Sequence, residues 1–122
     1  MAKDTPEVRV KDALKDLFTK LPGVTMFSNP VGNARYGSCR VPYGVGGRGG
    51  SDYVGYRSII VTPDMIGRRV AVFCAIEAKR PGEQPEPHQQ AFINGVLAAG
   101  GLAGKADCCD DALSILRVSG GS

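Results

Sequence analysis

Glu77 and Lys79 close the apolar run Val70-Ala71-Val72-Phe73-Cys74-Ala75-Ile76, and residues i and i+2 of a strand project from one face. A carboxylate and an ammonium group therefore stand side by side where the apolar run stops. Asp52 follows a second distinctive stretch, the glycine-dense loop Gly44-Val45-Gly46-Gly47-Arg48-Gly49-Gly50. These residue types suit hydrolysis of a phosphodiester, which needs a hard divalent cation to offset phosphate charge and to lower the pKa of the attacking water. Asp52 and Glu77 on neighbouring strands, with the main-chain carbonyl of Ala78, would supply oxygen ligands and leave coordination positions for water and phosphate. Lys79 would sit one pleat away, able to position the water or stabilise developing negative charge. A bare Glu-x-Lys is also a common solvated strand end; Asp52 at the head of another strand is what gives it weight.

The elements that must hold these residues can be read along the chain. Thr5 can cap a helix opening at Pro6, where proline's missing N–H is not needed. Val10, Leu14, Leu17, Phe18 and Leu21 fall at the spacing of one buried stripe, and Pro22-Gly23 ends it. At 100° per residue Glu7 lies within about 20° of Leu14 and Phe18, so an acid is expected on the apolar side. Val24 to Ser28 predicts a short strand, Asn29 to Asn33 a turn-rich exit, Arg40 to Tyr43 a second short strand, and Asp52 to Val61 a longer one. Arg69 to Lys79, apolar on both alternating faces, predicts a central strand covered on both sides. Pro87 opens a helix through Ala99, closed by Gly100-Gly101; a strand over Leu102 to Ala106 and a helix over Asp110 to Leu116 follow. This order predicts an α/β fold with a mixed β-sheet flanked by α-helices, in one domain over 1–122.

Composition sets the outer limits. A chain of 122 residues, 43% hydrophobic and 22% charged, can build one core but not a multi-domain enzyme. Lys and Arg number 15 against 12 Asp and Glu, a net charge of +3 that suits a phosphate-bearing partner without identifying one. No stretch approaches the ~20 apolar residues of a membrane span, and Met1-Ala2-Lys3-Asp4 leads into polar sequence, so an intracellular protein is expected. Cys39, Cys74, Cys108 and Cys109 are too irregularly spaced for a disulfide framework or a zinc site and are read as buried or incidental thiols.

Taken together, the segments resemble a known family, the virus-type replication-repair nuclease (VRR-NUC) domain of the PD-(D/E)xK nuclease superfamily. The matching stretches are Thr5-Pro6-Glu7, Gly49-Gly50-Ser51-Asp52-Tyr53-Val54-Gly55, Thr62-Pro63-Asp64-Met65-Ile66-Gly67, Ala75-Ile76-Glu77-Ala78-Lys79-Arg80-Pro81-Gly82, and His88-Gln89-Gln90-Ala91-Phe92 running to Ala99-Gly100-Gly101. The resemblance implies a restriction-endonuclease-like fold and an Mg2+- or Mn2+-dependent deoxyribonuclease. It makes Glu7, Asp52 and Glu77 the metal-binding acids, with the Ala78 carbonyl, Lys79 the catalytic lysine, and a helix glutamine a further active-site member. Of Gln89 and Gln90, Gln89 lies within about 60° of Phe92, Ile93 and Val96, and it is the one chosen. Ser51 stands where the superfamily name has proline, a position that shapes the approach to the strand and ligates nothing. Standalone members of the family further imply a homodimer acting on branched DNA such as a four-way junction, in replication, recombination or repair, in the cytoplasm of a bacterial or phage-infected cell.

Other signals carry less. Glu7 could simply complement a helix dipole, and Gln89 could bond to backbone at a helix N-terminus. Gly44 to Gly49 formally fits G-x-G-x-x-G, but a strand follows it instead of the helix that would hold a pyrophosphate. His88 reads as an exposed helix residue. Arg48 and Arg80 are the arginines nearest Asp52 and Lys79 in sequence and the best candidates to contact flanking phosphates. The competing reading is a non-catalytic nucleic-acid-binding module with a nuclease-like fold, which the intact set of acids disfavours because uncompensated carboxylates repel phosphate.

Overall fold

The Thr5 hydroxyl accepts the Val8 N–H at 3.2 Å, capping α1 (Pro6–Phe18) as its sequence predicts. In a computed structural model that describes residues 5–118, the chain forms two compact units, Met1–Ile59 and Ile60–Ser122. The class is mixed α/β: among the described residues there are three α-helices with two antiparallel strand pairs and one parallel pair.

In the first unit α1 stops at Phe18, before the expected Leu21: the Thr19 N–H makes a last helical bond to the Lys15 carbonyl, and the Lys20 N–H then tightens onto Leu17. Its half-buried positions are Val8, Lys11, Leu14 and Phe18, whereas Val10, Leu17 and Leu21 are exposed. The buried stripe is thus rotated from the expected one and carries a lysine. β1 (Val24–Ser28) pairs antiparallel with β4 (Tyr53–Arg57), from Val24 opposite Arg57 to Ser28 opposite Tyr53. Phe18 meets the Tyr53 ring edge-on at 5.3 Å, and the Tyr53 hydroxyl donates to the Lys11 carbonyl at 3.4 Å, tying α1 to the head of β4. The strand expected to reach Val61 ends at Arg57: the Ser58 N–H makes one further bond to the Gly23 carbonyl, and Gly23, at φ +72°, turns the partner chain away. Between these strands the expected turn-rich exit is instead half of a hairpin, β2 (Gly32–Tyr36) with β3 (Cys39–Tyr43).

In the second unit β5 (Cys74–Ala78) runs parallel to β6 (Leu102–Ala106), joined by α2 (Pro87–Ala98), and α3 (Cys109–Leu116) packs against β6. Ile93 and Val96 of α2 are buried, as is Ala106 of β6. Gly101 admits the close turn from α2 into β6: a β-carbon there would lie 2.8 Å from both the Val96 side chain and the Phe73 carbonyl. The strand expected over Arg69 to Lys79 is shorter and is not a central strand with both faces covered. β6 is its one hydrogen-bonded partner among the described residues, and Val70, Val72, Cys74 and Ile76 are exposed while Ala75 and Glu77 are half-buried. An apolar run reports a low cost of burial but not that a partner surface exists on each side. No described helix is long and apolar enough to cross a membrane.

Candidate functional site

Glu77 and Lys79 emerge from one face of the C-terminal end of β5, as their i, i+2 spacing requires. The Lys79 Nζ lies 3.9 Å from the Glu77 Oε2, a loose pair, and the Lys79 side chain is only 12% exposed against 32% for Glu77. The Lys79 main-chain N–H donates to the Ala106 carbonyl at 2.9 Å, extending the parallel ladder one residue past Ala78 and fixing where the lysine stem begins. Beside Glu77 is a cavity of about 320 Å³ whose walls are Ala75, Ile76, Phe92 and Ile93, with His88 and Gln89 completing its lining.

Gln89 is half-buried and Gln90 exposed. Gln89 also closes a capping box, its Oε1 accepting the Glu86 N–H at 2.9 Å while Glu86 receives the Gln89 N–H. A helix-end role is therefore built, and the same bond turns the amide nitrogen of Gln89 away from Glu86. Arg80 is exposed, at the start of a loop pinned from two sides: the Arg80 N–H donates to Glu83 Oε1 at 3.1 Å, and the Lys105 ammonium donates to the Glu83 carbonyl at 3.2 Å. Lys105 is the register partner of Glu77, a placement that a sequence without strand pairing does not disclose. His88 is exposed as expected, with its Nδ1 3.6 Å from a Glu86 oxygen.

In the first unit Asp52 is exposed and directly precedes β4. Its carbonyl accepts the Asn29 N–H at 2.8 Å. Asn29, 7% exposed, then spends its whole side chain on the glycine-rich loop: Nδ2 donates to the Val45 carbonyl at 2.8 Å and to the Ser51 carbonyl at 2.9 Å, and Oδ1 accepts the Val45 N–H at 2.8 Å. One buried amide thus fastens both ends of the loop that carries Arg48 and delivers the chain into Asp52. Sequence reasoning passed over Asn29 as a turn residue; its asparagine-proline context does not distinguish a clamp from an ordinary turn.

Glu7 does not face the apolar interior as its helical angle suggests: its side chain is 76% exposed and pairs along the helix with Lys11 at 3.4 Å. A long acid in a first turn reaches solvent from a position whose Cβ points inward. Lys11 is the residue the sequence did not single out. Its ammonium is held above the ordinary lysine value by the hydrogen bond to Glu7 first and then by the charge of Asp52. Glu7 and Asp52 therefore share one cationic neighbour in their unit, as Glu77 and Lys79 keep company in theirs.

Glu7 and Asp52 in the first unit, and Glu77 with the Ala78 carbonyl in the second, each offer oxygen alone, and neither Glu7 nor Glu77 is locked in a short ion pair, so the donors of each unit suit a hard divalent cation. The one group among the described residues whose ligand atoms already converge is different: Asp107, Cys108 and Asp111, a mixed oxygen and sulfur set at the start of α3. There Asp111 is held below the ordinary carboxylate range, chiefly by the hydrogen bond from the Asp107 N–H. The four thiols are free and all are exposed, so the reading of them as buried does not hold. No family model, curated protein or solved structure matches the chain.

Proposed function

We propose that the chain is a metal-dependent DNA endonuclease of the VRR-NUC type, with the restriction-endonuclease-like sheet of the PD-(D/E)xK superfamily. The observation that carries this reading is the pairing of a nearly covered Lys79 with a partly open Glu77 at the end of β5. A largely covered lysine stem holds its ammonium in place beside an accessible carboxylate, an arrangement suited to a positioned charge at a phosphate.

In the second unit Glu77 and the Ala78 carbonyl would hold Mg2+ or Mn2+, and in the first unit Asp52 and Glu7 are the acids this reading assigns to metal; the ion would supply charge neutralisation at the scissile phosphate and a more acidic bound water. Lys79 orients water beside the carboxylate of Glu77 and offsets negative charge on the phosphate oxygens. Arg48 and Arg80, both exposed and both on restrained loops, contact flanking phosphates. So small a chain has little surface for reading base edges, which favours recognition of DNA shape and a branched substrate such as a four-way junction, met by a homodimer that offers one site to each of two strands.

The test is cleavage of labelled linear, flap and four-way DNA with Mg2+, Mn2+ or EDTA. Wild-type protein is expected to cut with either metal and not in EDTA, with Asp52→Asn, Glu77→Gln and Lys79→Met each slowing cutting by about a hundredfold or more. Binding without cutting, unchanged by those substitutions, would replace this reading with that of a non-catalytic DNA-binding module.

A further inference from the structure

The cavity beside Glu77 has a composition that a phosphate site does not need. Its lining is mostly aliphatic and aromatic, from Ala75, Ile76, Ile93 and Phe92, and is completed by three polar residues, Glu77, Gln89 and His88. A phosphate gains nothing from such walls, and a fatty chain would strand the amide and the carboxylate against apolar surface. A nucleobase matches both features, since its faces are apolar and stack on aromatic rings while its edge carries hydrogen-bond donors and acceptors. The volume of about 320 Å³ is at the small end of ligand pockets and suits one flat heterocycle. Phe92 is 44% exposed although neighbouring Ile93 is buried, so the ring forms an accessible wall and is not part of the sealed core. The capping bond fixes the Gln89 Oε1 on the Glu86 N–H and does not use its amide nitrogen, so Gln89 keeps a donor while lining the cavity.

We infer that this cavity takes one unpaired nucleobase of the substrate strand, stacked against Phe92 with its edge toward Gln89, next to the phosphodiester served by Glu77 and Lys79. The inference rests on the nuclease reading for the identity of the strand. A base within a duplex is stacked on both faces and cannot enter, so the site admits only nucleotides freed at a branch, a flap or a single-stranded end. Preference for branched DNA then follows from a pocket on each protomer, in addition to the shape of the whole junction.

The experiment uses a flap substrate carrying an abasic residue, or 2-aminopurine, at each unpaired position near the cut in turn, with wild-type protein and with Phe92→Ala and Phe92→Leu. Expected is one position at which base removal slows Mg2+-dependent cutting about tenfold, a loss of the size base–aromatic stacking supplies. Phe92→Ala slows the intact substrate by a similar factor and the two losses do not add, because both delete one contact. At that same position 2-aminopurine emission changes on binding with Ca2+ replacing Mg2+, and the change is lost in Phe92→Ala while Phe92→Leu, which keeps an apolar wall, retains part of it. Cutting that is indifferent to abasic residues at every position would overturn the base site and leave the nuclease reading standing. A Phe92-dependent emission change without any cutting would retain the base site and remove the nuclease reading. Losses that multiply in the combined experiment would show that Phe92 and the base act independently and would also overturn the proposal.

Discussion

Asn29→Ala removes three side-chain hydrogen bonds in one step, to the Val45 carbonyl, the Val45 N–H and the Ser51 carbonyl, all of 2.8–2.9 Å. At about 1 kcal/mol net per bond the loss is roughly 3 kcal/mol, and water reaching the exposed Val45 keeps it below the sum of full desolvation penalties. The backbone bond from the Asn29 N–H to the Asp52 carbonyl survives the change, so β1 and β4 still pair while the glycine-rich loop loosens. Asn29→Asp sharpens the argument. It keeps an acceptor for the Val45 N–H but sets a carboxylate oxygen against two carbonyls, so it should be less stable than Asn29→Ala at pH 7. The folded state raises the pKa of such an aspartate, so the penalty is absent below its unfolded value and grows as pH rises toward the folded one. Urea unfolding of the three proteins at pH 7 and pH 4.5, with slopes compared to confirm a common transition, measures this. The account of the clamp is refuted if Asn29→Ala stays within about 0.5 kcal/mol of wild type, or if acid fails to recover Asn29→Asp relative to Asn29→Ala.

Two further outcomes follow from local geometry. Gly44→Ala should destabilise the chain by about 2 kcal/mol or more, since Gly44 sits at φ +94° and a β-carbon would come within 2.5 Å of the Pro30 carbonyl; thermal unfolding reads it, and Gly37→Ala, strained in φ but facing open space, should cost less. Asp111→Asn should lower the melting temperature at neutral pH and converge with wild type in acid, because a carboxylate held below its ordinary value stabilises above the unfolded pKa of 3.8 and loses that contribution as pH falls through the folded one; parallel melts from pH 2 to 7 check the sign.

Element positions were legible wherever punctuation was local. Thr5-Pro6 marks the start of α1, Pro87 and Gly100 bracket α2, and β1 and β6 fall where their short apolar runs lie between turn residues. Of the β2–β3 hairpin, β3 was expected over Arg40 to Tyr43 while β2 and the pairing were missed, though legible: Gly37-Ser38 between Ala-Arg-Tyr and Cys-Arg-Val-Pro-Tyr is a two-residue turn signal, and Gly37 at φ +62° supplies the positive angle at its first position. What failed was inference about partners. The length of β4 is set by where Gly23 turns β1 away, and the exposure of β5 by which surfaces pack on it; neither is encoded in the residues of those strands. At the candidate site the charged types announced themselves, as Glu77 and Lys79 do. The neutral support of Asn29 and the mediating charge of Lys11 became visible only through hydrogen bonds and proximity in space.

The hairpin also bears on the chain entropy of the first unit. To pair β1 with β4 the chain must close residues 29–52 into a loop, and β2 and β3 lie wholly inside that interval. Hairpins of this kind zip in about 1–10 μs, and one that has formed shortens the stretch of slack chain, each halving worth about 0.6 kcal/mol of closure entropy. Tyr36 opposite Cys39 encloses far less chain than Val24 opposite Arg57, so the hairpin is the entropically cheaper of the two pairings to close, and Asn29 bonds to a loop that lies beyond it in sequence.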